Sequence, residues 1–178
     1  MNTPKHSNDI LQELYEDARL LGQDTDEIAG LVHKQFFIRD LHRRAYECSR
    51  YGVIVSAGLI RMTNLASSFN DKAEMAAELD RIGSLLDENM RLTDLATWYG
   101  PNEFAIQMPH VDAEEAKRAC QRLIEVLQPK LGFDAVMEFE VAELDDNHTA
   151  DILLENLKEN RFRMPLEEQS SIFQVAKA

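Results

Sequence analysis

Apolar residues at the start of the chain return at helical spacing. Ile10, Leu11, Leu14, Tyr15, Ala18 and Leu21 recur every three or four positions with acidic residues between them, which predicts a short amphipathic helix with one apolar stripe. Ser7 is placed to cap its start and Gly22 to end it. A second helical pattern runs from about Thr25 to Arg50 and predicts Phe36, Phe37, Leu41 and Tyr46 as buried. The period then changes. Val53 to Ile60 is a continuous apolar run rich in β-branched residues, the pattern of a buried strand. Asp71 to Met90 returns to helical spacing, with Met75, Leu79, Ile82, Leu85 and Leu86 on one face. Leu95 to Tyr99 and Phe104 to Met108 flank a Gly-Pro-Asn turn and predict a β-hairpin. Asp112 caps a helix carrying Ala116, Ala119, Leu123 and Val126. Ala135 to Ala142, with Val136, Phe139 and Val141, reads as a half-buried strand. Thr149 to Lys158 reads as helical again, and Phe162 to Met164 as a candidate last edge strand.

Strands and helices therefore alternate around one hairpin. That order predicts an α/β fold of the α+β sandwich kind, with helices flanking a mixed central sheet. The chain divides into an N-terminal amphipathic helix over 1–23, a main domain over 24–164 and a C-terminal tail over 165–178. The first helix either packs back on the domain or presents Leu11, Leu14, Ala18 and Leu21 as a seam for a second copy.

Composition narrows the function classes. The 178 residues are 44% hydrophobic and 29% charged, enough to bury a core without disulfide or metal staples. The net charge of -13 runs against general nucleic-acid binding, which needs a basic footprint to neutralise phosphates. It leaves room for one small anionic ligand, because a few local arginines outweigh a screened distant field. The first nine residues are polar and no run approaches 18 apolar residues, so the sequence predicts no signal peptide and no membrane insertion. The expectation is a soluble cytoplasmic protein or a cytoplasmic piece of a larger one. Cys48 and Cys120 have no CxxC spacing and read as packed free thiols. His6, His33, His42, His110 and His148 show no ligand spacing, and no Gly-rich phosphate loop is present. No cofactor or metal is expected.

Several short motifs nevertheless fall in a recognisable order. They are Asp26-Glu27-Ile28-Ala29-Gly30-Leu31 followed by Phe36, then Arg50-Tyr51-Gly52 ahead of the first strand. Next come Arg91 and Asp94 in an R-x-x-D and, after five intervening residues, Gly100-Pro101-Asn102-Glu103-Phe104, closed by Met108-Pro109. Last is Ala150-Asp151 with Leu154 and Lys158. Over residues 24–164 this series resembles the GGDEF domain family, whose active members condense two GTP molecules into cyclic di-GMP in bacterial second-messenger signalling. The resemblance implies a degenerate member. Active members hold divalent metal with an acidic residue ending the first strand and with the third residue of the signature. Here those positions are Arg61 and Asn102. Magnesium wants anionic oxygen ligands, an amide carries no net charge, and an arginine repels the ion. Pro101 replaces the glycine that lets backbone approach phosphate, and removes an N–H donor. Thr63 stands where the family has a second strand-end carboxylate, no G-H-x-x-G-D element follows, and the register of Asn70 is ambiguous. Arg61 either pairs with Glu103 and supplies positive charge in the metal's place, or stands exposed and solvated.

The same resemblance implies a surviving ligand site. Many members bind cyclic di-GMP at an inhibitory site through R-x-x-D, which Arg91 and Asp94 keep, and Arg122 matches the assisting arginine of the next helix. Arginine's planar fork suits phosphate and the guanine Hoogsteen edge, and aspartate accepts from guanine N–H groups. The expected function is an inactive signalling domain that acts as a cyclic di-GMP receptor. The alternatives are a ligand-independent protein-interaction or dimerisation module, working with a protein partner or as a homodimer, and a residual diguanylate cyclase.

Overall fold

In a computed structural model of the protein, residues 7–20, 30–144 and 155 are described. Four helices, α1 (Ser7–Leu20), α2 (Lys34–Tyr51), α3 (Lys72–Asn89) and α4 (Ala113–Leu127), accompany four strands. The strands are β1 (Val55–Met62), β2 (Leu95–Gly100), β3 (Glu103–Pro109) and β4 (Met137–Leu144), in the sheet order β2-β3-β1-β4. The α+β class is as expected. Every pairing among the described strands is antiparallel, so the parallel neighbours of a mixed sheet do not occur there. β1 and β2 run the same way, but β3 lies between them and splits the β-α-β unit.

Local chemistry sets the element ends. Asp71 caps α3 by accepting from the N–H groups of Ala73 and Glu74, and Asp112 caps α4 by accepting from Glu115 N–H. His33 caps α2 through Nδ1, and α2 begins at Lys34, well after the Thr25 start that periodicity suggests. α2 stops at Gly52, whose φ of 65° is the left-handed conformation glycine adopts without strain, and whose N–H bonds to Cys48 O. β1 lies mid-sheet and is buried on both faces, which explains why it lacks the apolar–polar alternation of a half-buried strand.

Side-chain parity sorts the core into two layers. Odd positions of β1 and β3 (Val55, Ala57, Leu59, Ala105) join Tyr99, Phe37, Leu41 and Cys48 under α2. Even positions (Ile60, Met62, Phe104, Ile106, Met108) join Trp98, Met75, Leu79, Ile82 and Leu86 under α1, α3 and α4. Ile10, Leu11 and Tyr15 belong to this second layer, so α1 packs on its own domain. Leu11, one of the seam candidates, is only 3% exposed, and Leu14 packs against the same core. Leu21 and the Ala18 side chain lie outside the described residues, as do Gly22, Asp26 to Ala29, Ala150, Asp151, Leu154, Lys158, the edge strand at Phe162 and the tail.

Two core expectations need correcting. Phe36 and Tyr46 are exposed, because Phe37 and Leu41 take the sheet-facing side of α2. In β4, Met137, Phe139 and Val141 face the layer under α1, α3 and α4, while Ala142 and Leu144 face the layer under α2. Val136 precedes the strand and is exposed, its backbone engaged by the Thr63 N–H and the Asn64 side chain. Cys48 and Cys120 are free and buried.

Candidate functional site

Two groups of the motif residues form distinct clusters. The first is built on the β2–β3 hairpin and the end of β1. Arg61 sits directly opposite Glu103 on β3 and Glu138 on β4, an arrangement of cross-strand charge pairs. Its guanidinium donates to Glu103 Oε1 from Nε at 3.1 Å and from Nη2 at 2.8 Å, and Nη1 lies 3.9 Å from Glu138 Oε2. Arg61 is 5% exposed. Of the two alternatives for this residue, the ion pair is the one observed. A charge buried this deeply requires such partners.

The hairpin turn holds that pair in place. Gly100 pairs with Glu103 across a two-residue turn of Pro101 and Asn102. A Cβ on Gly100 would meet Glu103 Oε2 at 2.8 Å, so the carboxylate lies over this glycine on its way to Arg61. Trp98 Nε1 donates to Pro101 O at 3.2 Å, and Met62 N–H to Asn102 O at 2.9 Å. Phe104 points to the opposite layer and is fully buried.

α1 lies against this hairpin. The Tyr15 hydroxyl donates to Tyr99 O at 2.6 Å, Lys34 Nζ donates to the same oxygen at 2.6 Å, and the Tyr15 ring meets Trp98 edge-on at 5.1 Å. Lys72 ties the helix down from α3 through Glu13 at 3.1 Å and Asp17 at 2.9 Å. Between α1 and the turn remains a cavity of about 230 Å³ with Leu11, Thr63, Pro101 and Asn102 in its wall. Typical small-molecule sites span about 300–1,000 Å³.

The second cluster lies where α3 hands over to β2. Asp94 locks the turn: its N–H donates to Arg91 O at 3.0 Å, and its Oδ2 accepts from Arg91 N–H at 3.1 Å. Its Oδ1 is buried with no hydrogen-bond partner among the described residues. Burial raises the Asp94 carboxyl above its ordinary value, against the Arg91 N–H, the charges of Arg91 and Arg122 and the Thr93 side chain, which pull it down. Arg122 reaches over from α4, its Nη2 3.5 Å from Asn89 O at the end of α3. Arg91 and Arg122 are both exposed. Two exposed cations thus flank a half-buried carboxylate whose turn is held by the Arg91–Asp94 hydrogen bonds.

Sequence reasoning paired Arg61 with Glu103 but missed Glu138, because strand register decides that neighbour. It also missed Tyr15 and Lys34 on the Tyr99 carbonyl, and the fully exposed Leu92 inside the R-x-x-D turn. No short-range signal marks any of these.

A split β-α-β sheet with a hairpin between its two crossing helices defines the class as an α+β sandwich. Its particular version is found in solved GGDEF domains. The GGDEF domain of DgcB from Caulobacter crescentus, in complex with c-di-GMP, aligns with a TM-score of 0.67 at 15% identity, over 78% of this chain and 89% of that one. The FimX GGDEF domain from Pseudomonas aeruginosa aligns at 0.68 and 17% identity, over 78% and 91%. A sensory box/GGDEF family protein from Caulobacter crescentus CB15 aligns at 0.68 and 19% identity, over 77% and 94%. No family model and no curated protein matches the sequence. The chain has the GGDEF-domain fold.

Proposed function

We propose that this chain is a noncatalytic GGDEF-like signalling domain that binds cyclic di-GMP at the junction of α3 and β2. The observation that carries the reading is the convergence of Arg91, Asp94 and Arg122 around one turn. The ligand is a dianion with two guanines. Arg91 and Arg122 supply forked donors for phosphate and guanine acceptors, and Asp94 Oδ1 is an acceptor in search of a donor. The DgcB domain was solved in complex with c-di-GMP, which supports the choice of ligand.

The hairpin supports the noncatalytic half of the reading. Cyclisation of GTP needs a divalent cation on phosphate oxygens. At the expected metal position the Arg61 guanidinium lies between the Glu103 and Glu138 carboxylates. Those residues do not fit a divalent cation, since the two carboxylates already share a cation of the protein's own. Docked α1 restricts the space beside Pro101 and Asn102 as well.

Incubation with GTP and either magnesium or manganese is expected to give no cyclic di-GMP above a protein-free control. Product formation would return the chain to the residual-cyclase reading. In thermal melts, cyclic di-GMP at about 100 times its Kd should stabilise the protein by about 2.7 kcal/mol, and Arg91→Ala should cut that shift to about 0.4–1.4 kcal/mol at the same ligand concentration.

A further inference from the structure

We infer that the outer face of α2 is a docking seam for an acidic amphipathic helix of another protein. The inference does not depend on cyclic di-GMP binding. α2 buries Phe37, Leu41 and Cys48 against the sheet. Its opposite side exposes Phe36, Arg39, His42, Arg43, Tyr46 and Arg50. Phe36, Arg39, Arg43, Tyr46 and Arg50 alternate by three and four residues, the spacing of a two-heptad seam about 21 Å long.

The composition of that seam is unusual for this chain. The protein carries a net charge of -13, yet among the described residues no carboxylate is exposed on this face. Glu47 is half-buried and Asp40 buried, both turned toward Arg43 and Arg44. The Arg39 guanidinium lies 5.5 Å from the Phe36 ring centroid, and that of Arg50 lies 5.8 Å from Tyr46 and 5.7 Å from Tyr51. Arg50 also donates to the Tyr46 hydroxyl at 2.5 Å. Neither Arg39 nor Arg50 has a carboxylate within 4 Å among the described residues. Arginine and tyrosine held this way are the residues that carry most binding energy at protein interfaces.

The charge selects the occupant. Parallel pairing of two α2 faces about a two-fold axis would set every seam arginine against its own copy, and antiparallel pairing centred on the seam would still set Arg43 against Arg43, which like-charge repulsion disfavours. The acidic helices of the same chain, α1 and α3, carry nine carboxylates between them but lie on the other face of the sheet. Joining them to α2 of a second copy would be a head-to-tail contact with no reason to close. A helix offering carboxylates between apolar residues at heptad spacing meets both the arginines and the aromatic rings.

The test titrates the intact protein against a labelled probe helix of about three heptads with Leu and Glu facing the seam, read by fluorescence anisotropy. A scrambled peptide of the same composition, anionic vesicles and single-stranded RNA are run beside it. The inference expects saturable binding of the probe alone, weakened at least ~tenfold by Arg39→Glu with Arg50→Glu. Affinity should return when the probe's Glu residues are exchanged for Lys. These positions are exposed, so unchanged melting of the variant separates docking from folding. Equal binding of the scrambled peptide, indifference to the charge reversal, seam-dependent binding of vesicles or RNA in place of the probe, or no binding of the probe at millimolar concentration would each overturn the inference.

Discussion

At the residue scale the chemistry concentrates on two charges, Arg61 and Asp94. Arg61 is held by Glu103 and faces Glu138. Arg61→Met removes the cation and leaves Glu103 partly buried without a partner. A fully buried broken pair costs about 3–5 kcal/mol. Glu103 keeps some solvent, with its side chain 18% exposed, so the expected loss is nearer ~2 kcal/mol in urea unfolding. An unchanged midpoint would mean that the pair contributes nothing to folding. Asp94 behaves in the opposite sense. Burial raises its carboxyl, so the folded protein holds that proton more tightly than the unfolded chain. Its contribution to stability is present below the ordinary carboxylate range and is lost as pH rises through the raised value. Asp94→Asn is therefore expected to melt higher than the parent at neutral pH and to converge with it in acid. For the same reason, cyclic di-GMP affinity should fall on acidification at a pH above that at which an ordinary aspartate titrates. Loss only within the ordinary range would contradict the role given to Asp94.

At the element scale, most of the sheet and its capping chemistry were legible. Asp71, Asp112 and the apolar run of β1 each act through neighbours only a few residues away. What failed was the choice of face. Phe36 and Phe37 are adjacent, about 100° apart on a helix, and periodicity alone does not say which one meets the sheet. In β4 a one-residue error of parity exchanged Val136 for Met137, since register sets the face. α1 was legible as a helix, but its resting place was not. That depends on Trp98, the Tyr99 carbonyl and Lys72, all far along the chain. Trp98 is the only tryptophan, 2% exposed and in contact with Tyr15, so it reports on docking. Leu11→Ala should cost about 2–4 kcal/mol and, where α1 lifts, shift Trp98 emission to the red. Tyr15→Phe should cost only about 0.5–1 kcal/mol, because Lys34 still donates to the Tyr99 carbonyl. α2 is anchored differently. Asp40 accepts from Gln107 Nε2 at 2.6 Å beneath it. Burial opposes ionisation of Asp40, yet Arg43, Gln107 and Arg44 outweigh it and hold the carboxyl below its ordinary value. That stabilisation is present above the unfolded carboxylate range and is lost as pH falls through the depressed value.

At the scale of the whole molecule, a strongly anionic chain groups exposed arginines in two places that matter here. One is the α3–β2 junction, where Arg91 and Arg122 flank Asp94. The other is the outer face of α2. Between them lies a sheet whose signature hairpin is closed by an internal ion pair and overlaid by α1. Under the proposed function, the first surface receives the signal and the second passes it on. The R-x-x-D pair was readable from four consecutive residues. That Arg122 would reach the same turn rested on a resemblance, and the distance to Asn89 O now gives it a physical basis.

The most direct measurement is calorimetric titration of the intact protein with cyclic di-GMP, beside the Arg91→Ala variant and a GTP control. The account predicts saturable binding in the micromolar range, about -8 kcal/mol. Arg91→Ala should weaken it by roughly 10–100-fold, the loss of one charge-assisted contact, and GTP should not compete. No heat of binding at high ligand concentration, or equal binding by parent and variant, would contradict it.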